Sequence, residues 1–194
     1  AGKGTLTHML MYLAEVNNLT SEEFLYAYKL KKIVAELANV PFELTLTQEG
    51  KNEYIEMFDM TLGVMLQKIG TDVLRQYFYD DIWIKSVNDQ IKKSDVSIAI
   101  ISDLRFPNEV KNINEQNGFT IKIIRSNNNI NLNSKRDVKH SSEIALDDIE
   151  LDFTIINDGS KSDLYTKAIE VFIAISGIDE PIISIPDDID IDTF

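Results

Sequence analysis

Two short apolar runs, residues 96–101 and 119–124, constrain the fold more than any other feature of the sequence. Both are rich in Ile, as is typical of parallel strands that are covered on both faces. Between them, Pro107 is suited to opening a helix and Gly118 to the C′ position that ends one. The sequence therefore predicts a strand, a helix and a second strand, and with them an α/β fold with a parallel sheet.

The first half of the chain has the apolar spacing of helices. From Thr5 onward, Leu and Met recur at i, i+3, i+4 and i+7, which predicts an amphipathic helix. Thr20 and Glu23 have the spacing of a capping box, so a second helix is predicted to begin there and to run to the next proline. A third helix is predicted from Thr61, with an interruption near Gly70, and a fourth follows. The first half is thus predicted to be rich in helix.

The second half ends with further strand and helix signals. Residues 153–156 predict a third short strand, which is followed by a turn and by a helix that ends at Gly177. Residues 1–178 are predicted to form one domain. The polar, Asn-rich residues 126–139 predict a long functional loop within it. Residues 179–194 are predicted to be an acidic tail, since they hold six carboxylate side chains and no Lys or Arg.

Charge and composition exclude several classes of function. The chain has 19 basic and 32 acidic residues and a net charge of -13 at pH 7, and a field of that sign repels nucleic acid. We therefore predict no polymeric nucleic-acid partner. The absence of Cys excludes disulfides and thiolate metal sites and fits a reducing, cytoplasmic location. No apolar run is long enough to cross a bilayer, so no membrane partner is predicted.

Gly2, Lys3, Gly4 and Thr5 open the first predicted helix and match the second half of a phosphate-binding loop. In such a loop, backbone N–H groups and the helix dipole surround an anion, Lys reaches the β- and γ-phosphates, and Thr ligates Mg²⁺. These residues predict a site for ATP with Mg²⁺. A complete loop has an earlier glycine and a preceding strand, so we expect the first strand of the sheet upstream of residue 1. The alternative is an ordinary flexible terminus.

Asp103 and Arg105 directly follow the strand predicted at residues 96–101, where the ligand sites of open parallel sheets lie. The Asp103 carboxylate can hold Mg²⁺ or its water, and the planar guanidinium of Arg105 can bind a phosphate through two parallel hydrogen bonds. We predict a functional site at this turn. The alternative is a salt-bridged turn between a strand and a helix.

Several runs of residues together resemble the phage-type deoxynucleoside monophosphate kinases. The most specific are LQxxGTxxxR at residues 66–75 and DxRFPNE at residues 103–109, and further similarity lies at residues 81–83, 140–143 and 157–159. The resemblance covers most of the chain, from residue 2 to about residue 168. It implies a three-layer P-loop kinase fold with a parallel sheet, ATP and Mg²⁺ as the phosphoryl donor, and a deoxynucleoside monophosphate as the acceptor.

With that resemblance, the basic residues acquire predicted roles in phosphoryl transfer. Positive charge around the transferred group is the main requirement of this chemistry. Arg75 and Arg105 are predicted to bind the acceptor phosphate or the transferred group, and Lys3 and Asp103 to share the catalytic work with them. Lys31 resembles a residue of the acceptor-side helix of such kinases and is predicted to bind the acceptor.

Arg125 and Arg136 flank the loop at residues 126–139. We predict that this loop is a lid that closes over ATP to exclude water, and that both arginines bind ATP. Gln67 has the donors and the acceptor needed to read a base edge, and Trp83 can stack on the base, so both are predicted to bind the acceptor nucleotide. The alternatives are a helix cap for Gln67, a core position for Trp83 and a solvated charge for Arg136.

Two positions depart from the family pattern. Gly63 stands where family members usually carry Arg, and Gly4 where Asp is common. Either Lys31 or Arg75 compensates for the missing Arg, or acceptor binding is impaired. The sequence therefore predicts a kinase that transfers the γ-phosphate of ATP to a deoxynucleoside monophosphate and forms the diphosphate, with a homodimer as the family precedent. The alternatives are an impaired nucleotide-binding or scaffold protein of the same fold, and a dephospho-coenzyme A kinase.

Overall fold

The computed structural model describes residues 2–125, 146, 149–185 and 191–194, and it has the predicted α/β class. The helices are α1 (Lys3–Val16), α2 (Tyr28–Ala38), α3 (Gln48–Lys51), α4 (Leu62–Gln67), a π-helix (Lys68–Phe78) that continues α4, α5 (Ile82–Ser94), α6 (Pro107–Glu115) and α7 (Lys161–Ser176). Three short 3-10 helices are Phe42–Thr45, Glu56–Phe58 and Ile191–Thr193. The strands are β1 (Ser21–Phe24), β2 (Tyr54–Ile55), β3 (Met60–Thr61), β4 (Ile98–Ile101), β5 (Ile121–Ile124) and β6 (Phe153–Ile156).

The strands form three pairs within the described residues. β1 pairs in parallel with β4, β5 pairs in parallel with β6, and β2 forms a small antiparallel hairpin with β3. The parallel sheet that the sequence predicts is confirmed only as these two short parallel pairs. The strands on either side of α6, however, belong to different pairs. In the first pair Phe24 lies opposite Ile101, so the carboxyl ends of β1 and β4 meet at one edge.

The prediction of a helix that begins at Thr20 is wrong. The Thr20 carbonyl oxygen accepts the N–H groups of Ser97 and Ile98 at 3.1 and 3.0 Å, and its hydroxyl accepts the Ser97 N–H at 2.9 Å. These contacts align the next residues as β1 beside β4, and the helix begins only at Tyr28. Pairing with a distant strand therefore overrides the local helix signal.

Three predicted helix boundaries are confirmed. The Thr61 hydroxyl accepts the Val64 N–H at 3.3 Å and caps α4. Pro107 is the first residue of α6. Gly177 ends α7 in the left-handed conformation, with φ of 66°, which a glycine adopts without steric cost. Each of these signals acts within about one helical turn.

The end of α6 differs from the prediction. The left-handed residue is Asn117, with φ of 56°, and not Gly118. Asn tolerates this conformation better than most residues because its short polar side chain can bond locally. The Gly118 N–H donates to the Ile113 carbonyl oxygen at 2.9 Å. The helix therefore ends close to the predicted place, but on a different residue.

Two apolar clusters form the core. The first lies among α1, α7 and the β5–β6 pair and includes Met9, Leu13 and Phe172. The second lies among α2, α4 and α5 and includes Val34 and Leu62. The second cluster supports the helices that surround the edge where β1 and β4 end.

The tail lies against α1 and α7 where the structure describes it. The Asn17 amide donates to the Ile182 carbonyl oxygen at 2.8 Å, and the Tyr165 hydroxyl donates to that of Ile183 at 3.1 Å. The Phe194 ring stacks on Tyr165 with centroids 6.1 Å apart. In the described part of the chain, no helix combines the length and apolar character needed to cross a membrane. The predicted lid at residues 126–139, which contains Arg136, lies outside the described residues.

Candidate functional site

A cleft of about 680 Å³, including the solvent at its mouth, opens beside the carboxyl end of β4. Six residues singled out from the sequence line it together, although they come from four different elements and one loop. They are Lys31, Gln67, Arg75, Trp83, Asp103 and Arg105. Its wall also includes apolar and small residues, namely Tyr26, Ala27, Leu30, Gly63, Leu66, Gly70, Thr71 and Phe106, together with Lys51 and Glu109.

Asp103 connects the ends of the two paired strands. It lies in the loop after β4, and its carboxylate oxygens accept the N–H groups of Tyr26 and Ala27 at 2.8 and 2.9 Å. These two residues form the turn between β1 and α2. The parallel pairing of β1 with β4 brings both loops to the same edge, and Asp103 then fixes the start of α2 beside the cleft.

Three cations surround the Asp103 carboxylate. Desolvation lowers the pKa of Lys3, repulsion from Arg105 lowers it further, and the attraction of Asp103 opposes both effects. Desolvation also lowers the pKa of Lys31, with Asp103 again opposing the shift and Arg105 adding to it. Asp103 thus lies among three positive groups, and the carboxylate of Glu23 also acts on Lys31. This corner of the cleft is electrostatically suited to an anion.

Arg75 is held by protein groups on one side of the cleft. Its Nε lies 3.3 Å from a carboxylate oxygen of Asp80, one terminal nitrogen donates to Glu109 at 3.0 Å, and the other donates to Asn108 at 2.6 Å. Its guanidinium carbon lies 3.9 Å from the centre of the Phe106 ring. The Arg75 residue is only 4% exposed. These contacts use three of the five N–H donors of the guanidinium.

Glu109 joins this network to the start of α6. Its second carboxylate oxygen accepts the N–H groups of Arg105 and Phe106 at 2.7 and 3.0 Å. Burial raises the pKa of Glu109, although these N–H groups and the charge of Arg75 act in the opposite direction. From the sequence alone, Glu109 is only one member of the DxRFPNE run at residues 103–109. Its position three residues after the helix N-cap is the signal that could have identified it.

Gln67 and Trp83 lie on the helical side of the cleft. Gln67 is buried at the last residue of α4, where the π-helix begins. Trp83 is buried as well, and its indole N–H donates to the Gly70 carbonyl oxygen at 3.1 Å. The ring of Trp83 therefore packs in the second apolar cluster and also forms part of the cleft wall.

The four residues of the predicted phosphate-binding loop lie at the N-terminus of α1. Gly2 has φ of 99°, and a Cβ added to it would collide with the amide of Asn157. The positive φ favours glycine at this position. Lys3 begins the helix, and Gly4 and Thr5 lie in its first turn. Backbone N–H groups at a helix start point outward and favour anions.

A second and larger cleft of about 2150 Å³ lies between the two parallel pairs. Strands β4 and β5 line it, together with Lys3 and Leu6 from α1. Arg125 follows directly after β5. Lys3 and Arg105 line this second cleft, and Arg105 also lines the first. The two clefts therefore meet near the cationic corner around Asp103.

These features define an α/β protein in which several positive side chains lie at the carboxyl ends of parallel strands, where such proteins bind their ligands. The model of the deoxynucleotide monophosphate kinase family matches residues 2–168 of the chain. The chain belongs to that family. The resemblance that the residues indicated is thus confirmed.

Two relatives show the extent of the similarity. The deoxynucleoside-5'-monophosphate kinase of Escherichia phage T5 is 35% identical over 72 residues, which are 37% of this chain and 29% of that protein. A protein of Acanthamoeba polyphaga mimivirus, assigned as a deoxynucleotide monophosphate kinase, is 31% identical over an alignment of 186 positions that covers 87% of this chain and 91% of that protein.

Proposed function

We propose that this protein transfers the γ-phosphate of ATP to a deoxynucleoside monophosphate and releases ADP and the diphosphate. The observation that carries the proposal is the cationic corner, where Lys3, Lys31 and Arg105 surround Asp103 at the end of β4. Phosphoryl transfer requires positioned reactants and positive charge around the transferred group. Membership of the kinase family supports the same assignment.

The donor side of the reaction is assigned to the start of α1. Gly2, Lys3 and Gly4 hold the phosphates of ATP through backbone N–H groups, the helix dipole and the Lys3 ammonium. Arg125 binds ATP from the end of β5, and Arg136 is assigned the same role from sequence alone. These residues neutralise the donor phosphates while the γ-phosphate leaves.

Thr5 and Asp103 fit a Mg²⁺ ion that arrives with ATP. Their hydroxyl and carboxylate oxygens are the hard donors that Mg²⁺ prefers, and this ion usually takes few protein ligands together with substrate phosphates and water. Each Asp103 oxygen accepts one backbone N–H and keeps a lone pair for a further partner. When bound, Mg²⁺ neutralises charge on the phosphates.

The acceptor side is assigned to the first cleft. Arg75, Arg105 and Lys31 bind the acceptor phosphate or the transferred group. Arg75 retains two N–H donors beyond its three protein contacts, and its buried ion pair keeps the guanidinium in one orientation. Gln67 reads the base edge, and the Trp83 ring forms an apolar wall against the base.

The three-layer P-loop arrangement is part of the proposal. Within the described residues, β4 pairs with β1 alone and β5 with β6 alone, so two parallel edges face the larger cleft. A parallel strand that leads into Gly2 would occupy this space, pair with both edges and join the pairs into one sheet. It would also place the phosphate-binding residues at the end of that strand.

The test is an ADP-release assay with MgATP and each of the four deoxynucleoside monophosphates, with dephospho-coenzyme A as the control acceptor. We expect turnover with at least one of the four and none with dephospho-coenzyme A. Nucleotide binding by calorimetry without ADP release would instead favour the scaffold alternative, which Gly63 motivates. Turnover with dephospho-coenzyme A alone would replace the proposal with the dephospho-coenzyme A kinase alternative.

The homodimer and the cytoplasmic location stay predictions.

A further inference from the structure

Thr71 is a polar residue of the first cleft to which the proposed reaction assigns no part. It lies within the π-helix, is 7% exposed and lines the cleft. It is also the Thr of the LQxxGTxxxR run at residues 66–75. Burying a hydroxyl costs free energy unless a hydrogen bond compensates. The partner available to this hydroxyl therefore indicates what the residue does.

The Thr71 hydroxyl has no hydrogen-bond partner among the described residues. In helices a Thr hydroxyl commonly bonds the carbonyl oxygen three or four residues earlier, as Thr166 does with Ser162 at 3.1 Å. In the described part of the chain, the buried side-chain atoms that are closed off from solvent without a partner are the hydroxyls of Tyr26 and Ser86, and that of Thr71 is not among them. It therefore keeps contact with solvent. Because so little of Thr71 is exposed and the residue lines the cleft, that contact is through the cleft.

Close packing fixes the backbone beside Thr71. The Gly70 carbonyl oxygen accepts the indole N–H of Trp83 at 3.1 Å. A Cβ added to Gly70 would collide with the side chain of Leu30, so α2 approaches the π-helix closely at this point. Thr is branched at Cβ, which restricts rotation about χ1. The hydroxyl thus has few orientations, and little entropy is lost when it binds a ligand.

The place of Thr71 along the helix indicates which part of the acceptor it meets. Gln67, Thr71 and Arg75 follow one another at intervals of four residues, and all three are buried and line the cleft. Residues at this spacing are neighbours on one side of a helix. In the proposed reaction Gln67 reads the base edge and Arg75 binds phosphate. The sugar of a nucleotide lies between its base and its phosphate, so the residue midway between Gln67 and Arg75 meets the sugar.

We propose that the Thr71 hydroxyl binds the deoxyribose of the acceptor at its 3′-hydroxyl, which is the only hydroxyl on the sugar of a deoxynucleoside 5′-monophosphate. Each of the two hydroxyls can donate and accept a hydrogen bond. This inference rests on the proposed function, since it names a further substrate-binding residue in the same cleft. Loss of the Thr71 hydroxyl should weaken recognition of the sugar and leave ATP binding intact.

The first experiment compares a deoxynucleoside monophosphate with its 2′,3′-dideoxy analogue, which lacks only the 3′-hydroxyl. In the wild type, kcat/KM should be about 3- to 10-fold higher for the natural acceptor, as for one neutral hydrogen bond. Thr71→Val replaces the hydroxyl with a methyl group, so the two acceptors should become equivalent. Thr71→Ser keeps the hydroxyl and should keep the preference. Thr166→Val makes the same change at an exposed position of α7 and is the matched control.

The ratio of the two kcat/KM values separates a sugar contact from a structural effect, because a general distortion of the cleft affects both acceptors alike. An unchanged ratio in Thr71→Val would overturn the proposal, as would a ratio that falls equally far in Thr71→Ser. Equal use of both acceptors by the wild type would also overturn it. If Thr71→Val does not fold, Thr71→Ala removes the same hydroxyl with less bulk, and the same result is expected.

Failure of the proposed function gives a different pattern. A wild type that turns over none of the four monophosphates contradicts the kinase assignment. Calorimetric binding of one monophosphate and of its dideoxy analogue to the wild type and Thr71→Val still tests Thr71 in that case. A preference for the natural monophosphate that only the wild type shows supports the sugar contact. Equal affinities in the wild type, a preference that Thr71→Val retains, or no binding of either ligand excludes it.

Discussion

Two groups of charges beside the first cleft differ in their protein surroundings. On one side Arg75 contacts Asp80, Asn108 and Glu109, and the network is largely buried. At the cationic corner, Lys3, Lys31 and Arg105 lie near the carboxylate of Asp103, and the pKa of both lysines is lowered. Charges with partners inside the protein stabilise the fold. A surplus of one sign instead creates a place for a ligand of the opposite sign.

Of the changes considered, breaking the buried ion pair between Arg75 and Glu109 should have the largest effect, and the quantity affected should be the stability of the fold. Arg75→Met leaves Glu109 buried without its cation, so we expect the free energy of unfolding to fall by about 3–5 kcal/mol. Urea denaturation measures this change. The control, Lys85→Met, removes an exposed lysine on α5 and should change stability by less than about 0.5 kcal/mol. Equal stability of the two variants would contradict the structural role of Arg75.

A substitution at the cationic corner should have the opposite result: turnover is lost, but the fold stays stable. Lys3→Ala removes positive charge at the transferred phosphoryl group, and kcat should fall by about 100-fold or more. The ADP-release assay measures this change. Urea denaturation should give almost the same midpoint as for the wild type. Lys29→Ala, on the exposed side of α2, is the matched control. Near-normal turnover of Lys3→Ala would remove Lys3 from the mechanism.

Asp103 has two roles, because it lies among the cations of the corner and also accepts backbone N–H groups. In Asp103→Asn an NH₂ group replaces one carboxylate oxygen, and NH₂ donates hydrogen bonds but does not accept them. The side chain therefore no longer accepts the Tyr26 N–H and the Ala27 N–H on two separate oxygens. We expect the free energy of unfolding to fall by about 1–2 kcal/mol.

The control for this prediction is Asp95→Asn, measured in the same urea titration. Asp95 is exposed and has φ of 53°, a conformation that Asn also tolerates. The same change is therefore made without loss of a buried acceptor. A stability loss as small in Asp103→Asn as in the control would show that Asp103 does not anchor the turn.

The smallest predicted effect is on the pH dependence of catalysis. The pKa values of Lys3 and Lys31 are lowered, so both lose their charge at a lower pH than an ordinary lysine with a pKa of 10.5. As the pH rises through these lowered values, phosphate binding weakens and kcat/KM falls. We expect the alkaline decline of kcat/KM below pH 10.5. In Lys31→Arg the decline should move to higher pH, because guanidinium does not titrate in this range. If the alkaline decline of kcat/KM stays at the same pH in Lys31→Arg, titration of Lys31 is not its cause.

Local signals predicted much of the helical framework. Thr61, Pro107 and Gly177 each mark a helix boundary through contacts within a few residues, and all three lie where expected. β1 was missed because its partner strand is distant along the chain. Thr20 and Ser97, which align the two strands, are 77 residues apart. The short polar segment after Thr20 also has no apolar alternation of its own to indicate a strand.

The residues of the candidate site were predicted from the sequence together with proposed roles, but without their partners inside the protein. Lys31, Arg75 and Arg105 were all expected to bind phosphate, and all three line the cleft. The sequence could not show that Arg75 forms a buried ion pair whereas Arg105 and Lys31 lie near Asp103, because these contacts depend on neighbours from other elements. Lys51 was missed for the same reason, whereas the position of Glu109 three residues after the helix N-cap is a local signal that could have identified it.

The sequence by itself determined which segments form most of the helices, which apolar runs become parallel strands, and the family to which the chain belongs. These properties depend on spacing along the chain and on residue types, and both can be read without coordinates. Only the tertiary structure decided that Ser21–Phe24 is a strand and which cations are neutralised inside the protein. It also decided that Lys51 lines the same cleft as Gly63. Those properties depend on distances between residues that lie far apart in sequence.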